Sequence, residues 1–317
     1  MHIVITGANG FIGGQLVRRI IQQPDAITGG GQLVRLSLID REFKQSSESD
    51  LVRIYEGSFA DADLLAAVLA DTPADMVFHL ASVPSGMTEN NPALGEEVNV
   101  LGTLRLLQRL KEQQNTPRVI FASSIAVYGK PAVAMLDETV LPTPNLSYGS
   151  HKVIGEVLVA DYSRRNWING CSIRIPGIVA RPPEPNGAVS IFFSDLIRRL
   201  SNGEPFTCPV SPTAKSWLMS VDCCVDNLIT AAHTDTSGIT TWTLPALHVE
   251  ISSLVQELDN LYPAHNVKQL ISYKPDDWVE ENFGSYPPIH CPHAERAGFK
   301  HDGDLQSLIK NSLNWGG

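Results

Sequence analysis

The sequence has no surplus of basic residues: among 317 residues, 24 Lys and Arg face 34 Asp and Glu, a formal charge of −10. Nucleic-acid binding selects surfaces of the opposite sign, so that class of partner is excluded. No apolar run approaches the roughly 18 residues needed to cross a bilayer. Nor does a basic segment precede the apolar His2-Ile3-Val4-Ile5, which reads as a strand and not as a secretory leader. Cysteine is scarce and unpatterned. Cys171, Cys208, Cys223, Cys224 and Cys291 make an odd set without Cys-x-x-Cys spacing, as expected of reduced thiols in a cytoplasmic protein. Internal repeats and low-complexity segments are also missing. What remains, 43% hydrophobic and 18% charged residues, suits one or two globular domains with a substantial core.

Apolar, β-branched runs at residues 2–6, 32–40, 51–56, 76–80, 118–122 and 170–175 read as strands. Helical patterns lie between them, at 11–22, from about 61, at 92–114 and at 148–166. Such alternation implies parallel strands joined by crossovers, an α/β doubly wound sheet of Rossmann type. After Ile175 the character changes: seven prolines between Pro176 and Pro212 punctuate a stretch with one good helix, at about 188–200. We expect residues 1–175, completed by about 215–245, to form a nucleotide-binding domain. Residues 176–214 and 246–317 would form a smaller, loop-rich α/β substrate-binding domain.

Gly7, Gly10 and Gly13, in Thr6-Gly7-Ala8-Asn9-Gly10-Phe11-Ile12-Gly13, follow the first strand and open the first helix. Glycines there permit a tight turn and close approach of a pyrophosphate, and the helix N-terminus offers N–H groups to it. Asp40 ends the second strand, where a carboxylate can accept the adenosine ribose hydroxyls and repel a 2′-phosphate, which favours NAD over NADP. The adjacent Arg41 offers the opposing reading, as a stack for adenine or a partner for a phosphate.

Tyr148 and Lys152 stand four apart, on one face of a helix. A free phenol, with a pKa of about 10, is a poor base at neutral pH. A nearby ammonium and a positively charged nicotinamide favour the phenolate, which can take a hydroxyl proton as hydride leaves the same carbon. Ser124, at the end of the fifth strand, can orient the same oxygen. Any one of these features alone is common; their order along one chain makes the hypothesis.

Together these features resemble the extended short-chain dehydrogenase/reductase superfamily, which includes nucleotide-sugar epimerases and dehydratases. The resemblance extends to His79-Leu80-Ala81-Ser82, to Asn99-Val100-Leu101-Gly102-Thr103 and to Arg174-Ile175-Pro176-Gly177. It implies that Asn9, Gly10, Phe11 and Ile12 contact the pyrophosphate and that Leu80, Ala81, Ser82 and Asn99 border the cofactor groove. It further implies that Lys152 holds the nicotinamide ribose, that Pro176 and Ile178 flank the carboxamide, and that Tyr148 is the acid/base. Gly57-Ser58-Phe59 departs from the superfamily's Gly-Asp pattern, so adenine would be read by Ser58 and the backbone of Phe59.

Closer still is the resemblance to one branch, the NAD-dependent D-erythronate dehydrogenases. It is carried by Val83-Pro84-Ser85-Gly86, by residues 147–156 running into 160–165, by 181–187, and by 208–212 with Trp217-Leu218. That branch oxidises the C2 hydroxyl of a four-carbon sugar acid. Lys215-Ser216-Trp217 stands where epimerases carry Arg-Asp-Tyr, and lysine lacks the planar fork suited to a diphosphate. Ser85, Arg181 and Asn186 are the candidates for the acid's carboxylate; a loop salt bridge is an equal reading of Arg181. Arg174, inside a strand, reads as structural.

His290-Cys291-Pro292-His293 lacks a second ligand pair at zinc-like spacing, so no metal is expected there. The alternatives to a sugar-acid dehydrogenase are a nucleotide-sugar epimerase or dehydratase with tightly held NAD, and a non-catalytic dinucleotide sensor. A sensor would be expected to lose Tyr148 or Lys152. The resemblance also implies a homodimer paired through the helices at 92–114 and 148–166.

Overall fold

The computed structural model describes residues 1–43, 49–182 and 189–313. Its main sheet has seven strands, every pairing parallel. From edge to edge they are Thr241–Thr243, Asn169–Ile175, Arg118–Ser124, Met76–His79, His2–Thr6, Arg35–Asp40 and Val52–Glu56. His2–Thr6 and Met76–His79 are buried throughout, as strands covered on both faces must be. The chain works outward from His2–Thr6 to Val52–Glu56, then returns to Met76–His79 on the other side. That reversal opens a crevice at the carboxyl ends of the two central strands, the place where open α/β sheets bind ligands.

The helix Phe11–Gln22 buries Gly13, Leu16 and Ile20 at helical spacing, and lies with Val221–His233 on one face of the sheet. On the other face, Leu106, Leu107 and Leu110 meet Val159 and Tyr162 of the helix Ser147–Arg164. The pattern at 92–114 suggests one helix, but the structure divides it. An α-turn Pro92–Gly95 passes into π-helix at Glu96–Gly102 and back to α at Thr103–Glu112. Within the π segment Asn99 turns inward, and Gly102 packs so closely that a Cβ would lie 2.9 Å from that of Ala60.

A second sheet joins Leu247–Glu250, Lys215–Ser220 and Gly177–Val179, the first pair antiparallel and the second parallel. Lys215–Ser220 thus belongs to this smaller sheet, whereas Thr241–Thr243 extends the large one. Phe192–Ser201 packs its apolar face with Leu254, Leu258, Leu308 and Ile309 into a separate core. Trp217, Tyr286, Tyr128 and Ile125 form the seam between the two layers. Among the described residues, no helix is long and apolar enough to cross a membrane.

Candidate active site

Ser124 is the last residue of its strand, and its Oγ accepts the Ala126 N–H at 3.1 Å, starting the 3-10 turn Ile125–Tyr128. Tyr148 lies in the first turn of Ser147–Arg164. No residue of that helix caps its start; the Glu89 carboxylate accepts the Ser147 N–H at 2.7 Å instead. One turn on, Lys152 is only 3% exposed, with Nζ 5.4 Å from the Tyr148 ring centroid and donating to Ala122 O at 2.7 Å. Burial pulls the Lys152 ammonium below its ordinary value, while Tyr148 and Glu156 oppose the shift. Among the described residues, Ala122 is its one acceptor. Two of its three donors are therefore left for a ligand.

The clamp beneath this helix is ionic. Arg174 grips both oxygens of Glu156 at 2.9 and 2.8 Å, and also donates to the Tyr128 hydroxyl. Ser123 Oγ donates to the same carboxylate at 2.5 Å. Arg174 is accordingly structural, as its strand position suggested.

Ser85, Ser124, Tyr148, Pro176 and Arg181 line one cavity. Arg181 has no carboxylate partner among the described residues; its Nε donates to Ile178 O at 3.3 Å. Burial pulls the guanidinium below its ordinary value, and the nearby Tyr148 and Cys224 oppose that. Asn186 lies outside the described residues. Sequence reasoning missed Asn145, Ser190, Ser216, Asn282 and Tyr286, which complete the cavity wall. Nothing near the tyrosine motif signals residues 282–286, and no periodicity brings them there.

The glycine turn lies farther along the carboxyl edge of the sheet. Gly7 has φ +73°, and a Cβ on it would come within 2.8 Å of Ala81 N; one on Gly13 would lie 2.0 Å from Gly7 O. Only bare backbone fits, and no side chain caps the helix at Gly10, so Phe11 and Ile12 begin it in the open crevice. Asp40 accepts the Asn9 N–H on one oxygen and the Arg41 N–H on the other, both at 2.8 Å, and Asn9 Nδ2 donates to Glu42 O. Each carboxylate oxygen keeps a second lone pair for a ribose hydroxyl. Ser58 Oγ accepts the Ala60 N–H, while Phe59 is buried edge-on against His79. Leu80, Ala81 and Ser82 form the groove's half-buried rim. Asn99 stands behind that rim with both ends of its amide on the Val83 backbone, and Ile178 is buried in its strand. This cradle fits a dinucleotide.

His79 organises the rim from below. Thr103 Oγ1 already donates to Asn99 O, so it must accept from His79 Nε2, and Nδ1 is left to accept from Thr6 Oγ1. Burial pulls its pKa down to about 3, with Lys152 adding to the effect, which keeps the ring neutral.

Lys215, at the epimerases' arginine position, pairs with Glu250 at 3.4 Å and is nearly half exposed. In the His290-to-His293 stretch, Glu138 accepts the N–H groups of His293 and Ala294, capping the short helix Pro292–Arg296. No cluster of metal ligands occurs among the described residues.

Comparison with known proteins agrees with this geometry. D-erythronate dehydrogenase of Cupriavidus necator is 34% identical over 98% of this chain and 97% of its own length. The enzyme of the same name from Haemophilus influenzae is 31% identical over 99% of each. The nucleoside-diphosphate-sugar epimerase from Agrobacterium tumefaciens superposes with a TM-score of 0.88 at 29% identity, covering 98% of this chain and 92% of that one. Residues 3–238 match the NAD dependent epimerase/dehydratase family. The chain belongs to that family, as an extended short-chain oxidoreductase that uses a nicotinamide dinucleotide.

Proposed function

We propose that this protein oxidises the C2 hydroxyl of a small, D-erythronate-like sugar acid to the 2-oxo acid, with NAD as oxidant and Tyr148 as general base. The observation that carries this reading is Arg181, a guanidinium without a carboxylate partner among the described residues, in the same cavity as Tyr148 and Ser124. Removing a small carboxylate from water without a cation or donors would cost several kcal/mol, and Arg181 supplies that cation. Ser124 and Tyr148 hold the C2 oxygen from two sides. Tyr148 accepts the hydroxyl proton as the C2 hydrogen leaves as hydride, so the carbon is oxidised by two electrons. NAD, when bound, supplies the hydride acceptor. Lys152 holds the nicotinamide ribose with its two remaining N–H groups, Asp40 the adenosine ribose, and the Gly7–Gly13 turn the pyrophosphate. The NAD assignment rests on Asp40, whose carboxylate would repel a 2′-phosphate.

A nucleotide-sugar epimerase is the second reading, favoured by the Agrobacterium tumefaciens structure. Against it stands Lys215, which is engaged by Glu250 at the surface. One assay separates the two: purified protein with NAD and four- and five-carbon aldonic acids, followed at the NADH absorbance. NADH formation supports the dehydrogenase; tightly bound NAD, no net NADH and tight sugar-nucleotide binding would support the epimerase. We also propose a homodimer formed through the faces of 92–112 and 147–164, where Leu101, Ile154 and Val157 are exposed. The five cysteines, all free and buried, support a reducing, cytoplasmic setting.

A further inference from the structure

We infer that Asn145 is a specificity-determining residue whose Oδ1 accepts a hydrogen bond from a substrate hydroxyl other than the one oxidised. Its orientation follows from a chain of donors. The backbone carbonyl of Trp278 can only accept, so the Asn282 atom 2.7 Å from it is the amide nitrogen. Asn282 Oδ1 is then an acceptor, and the Asn145 atom 2.6 Å away must be its Nδ2. Asn145 Oδ1 is thereby fixed on the other side as a pure acceptor. It takes no hydrogen bond among the described residues, and both asparagines line the cavity that holds Tyr148 and Ser124.

The surroundings hold Asn145 still. Gly129, with φ +57°, packs under it; a Cβ there would lie 3.0 Å from Asn145 Oδ1 and 2.3 Å from Thr143 O. Asn282 is 6% exposed on the helix Asp277–Phe283, whose neighbouring Glu281 pairs with Lys130. Asn145 is itself exposed at the cavity wall, so a ligand without the matching hydroxyl leaves Oδ1 to water, and the discrimination is that of one lost hydrogen bond, about three- to tenfold. Arg181 would select the acid; Asn145 would select a polyhydroxy acid over a plain 2-hydroxy acid.

This inference rests on the sugar-acid reading, and the test separates the two. Initial rates with NAD are compared for D-erythronate and 2-hydroxybutyrate, the latter lacking hydroxyls beyond C2, in wild type and Asn145→Leu. The expected result is a loss of about three- to tenfold in kcat/KM for D-erythronate, mostly through KM, with less than about a twofold change for 2-hydroxybutyrate. Asn282→Leu should show the same selectivity at smaller size, because it releases Asn145 Nδ2 but leaves Asn145 Oδ1 in the cavity wall. If Asn145→Leu fails to fold, Asn145→Ser carries the same comparison. Equal losses on both acids, or none on either, would overturn the assignment and leave the dehydrogenase standing. If wild type makes no NADH from any aldonic or 2-hydroxy acid, both readings fall.

Discussion

Arg174 and Arg181 stand seven residues apart, yet one is neutralised by a bidentate carboxylate and the other is not. That contrast supports a structural role for Arg174 and the carboxylate-binding role proposed for Arg181. Arg181→Ala should raise the KM for the acid by roughly 10- to 100-fold, the equivalent of a charged hydrogen bond worth about 1.5–3 kcal/mol, with NAD affinity unchanged by calorimetry. An equal rise for an uncharged polyol analogue would remove Arg181 from the carboxylate. Tyr148→Phe keeps the ring but loses the acceptor, so turnover should fall by about 10²- to 10⁴-fold while NAD still binds; near-normal turnover would displace Tyr148 from its role. His79 adds a pH signature. Its folded value, about 3, lies below the unfolded 6.5, so the unfolded chain binds the extra proton between those limits. Its stabilising contribution is complete above about pH 6.5 and is lost as pH falls toward 3. Urea unfolding of His79→Asn should show a shallower loss of stability with acid, by up to one proton's worth, than wild type. His2 and His151 shift in the same direction and would keep the residual slope.

At the scale of elements, the helix Ser147–Arg164 buries a stripe that includes two charges. Gly149, Lys152, Gly155, Glu156, Val159 and Tyr162 are its buried residues. A pattern of apolar spacing cannot register such a stripe, although the helix itself is legible from residues 148–166. Breaking one partner of a buried pair leaves the other uncompensated, so Arg174→Leu should destabilise the fold by about 3–5 kcal/mol in denaturant unfolding. A loss below about 1 kcal/mol would mean that the helix is held by its packing alone. The glycine turn and the positions of Tyr148, Lys152 and Ser124 were legible for a local reason: each is a short motif tied to a strand end or a helix turn. The division of 92–112 by a π segment was not, because it depends on Asn99 meeting Val83 and Gly102 meeting Ala60 across the fold.

For the whole molecule, the exposed Leu101, Ile154 and Val157 lie on the two helices that the family resemblance nominates for pairing. Val157→Asp, 62% exposed in the single chain, should shift light scattering from dimer to monomer at micromolar concentration without lowering the unfolding midpoint of the monomer. A wild-type monomer at that concentration would refute the dimer. The far wall of the cavity was illegible for the opposite reason to the motifs. Asn282, Phe283 and Tyr286 reach Tyr148 across more than 130 positions of sequence, and only the packing of the second layer brings them there.

That arrangement has a consequence for synthesis. When the ribosome has made residues 1–243, every strand of the large sheet exists, together with the glycine turn, Ser124, Tyr148 and Lys152. The wall that would shelter the acid is still unmade, since it comes from residues 282–286. A nascent or prematurely terminated chain therefore lacks an enclosed site, whatever nucleotide it holds. On the proposed reading an enclosed site requires residues 282–286, so activity per bound nucleotide in a cell extract would count chains made past that point and pass over shorter ones.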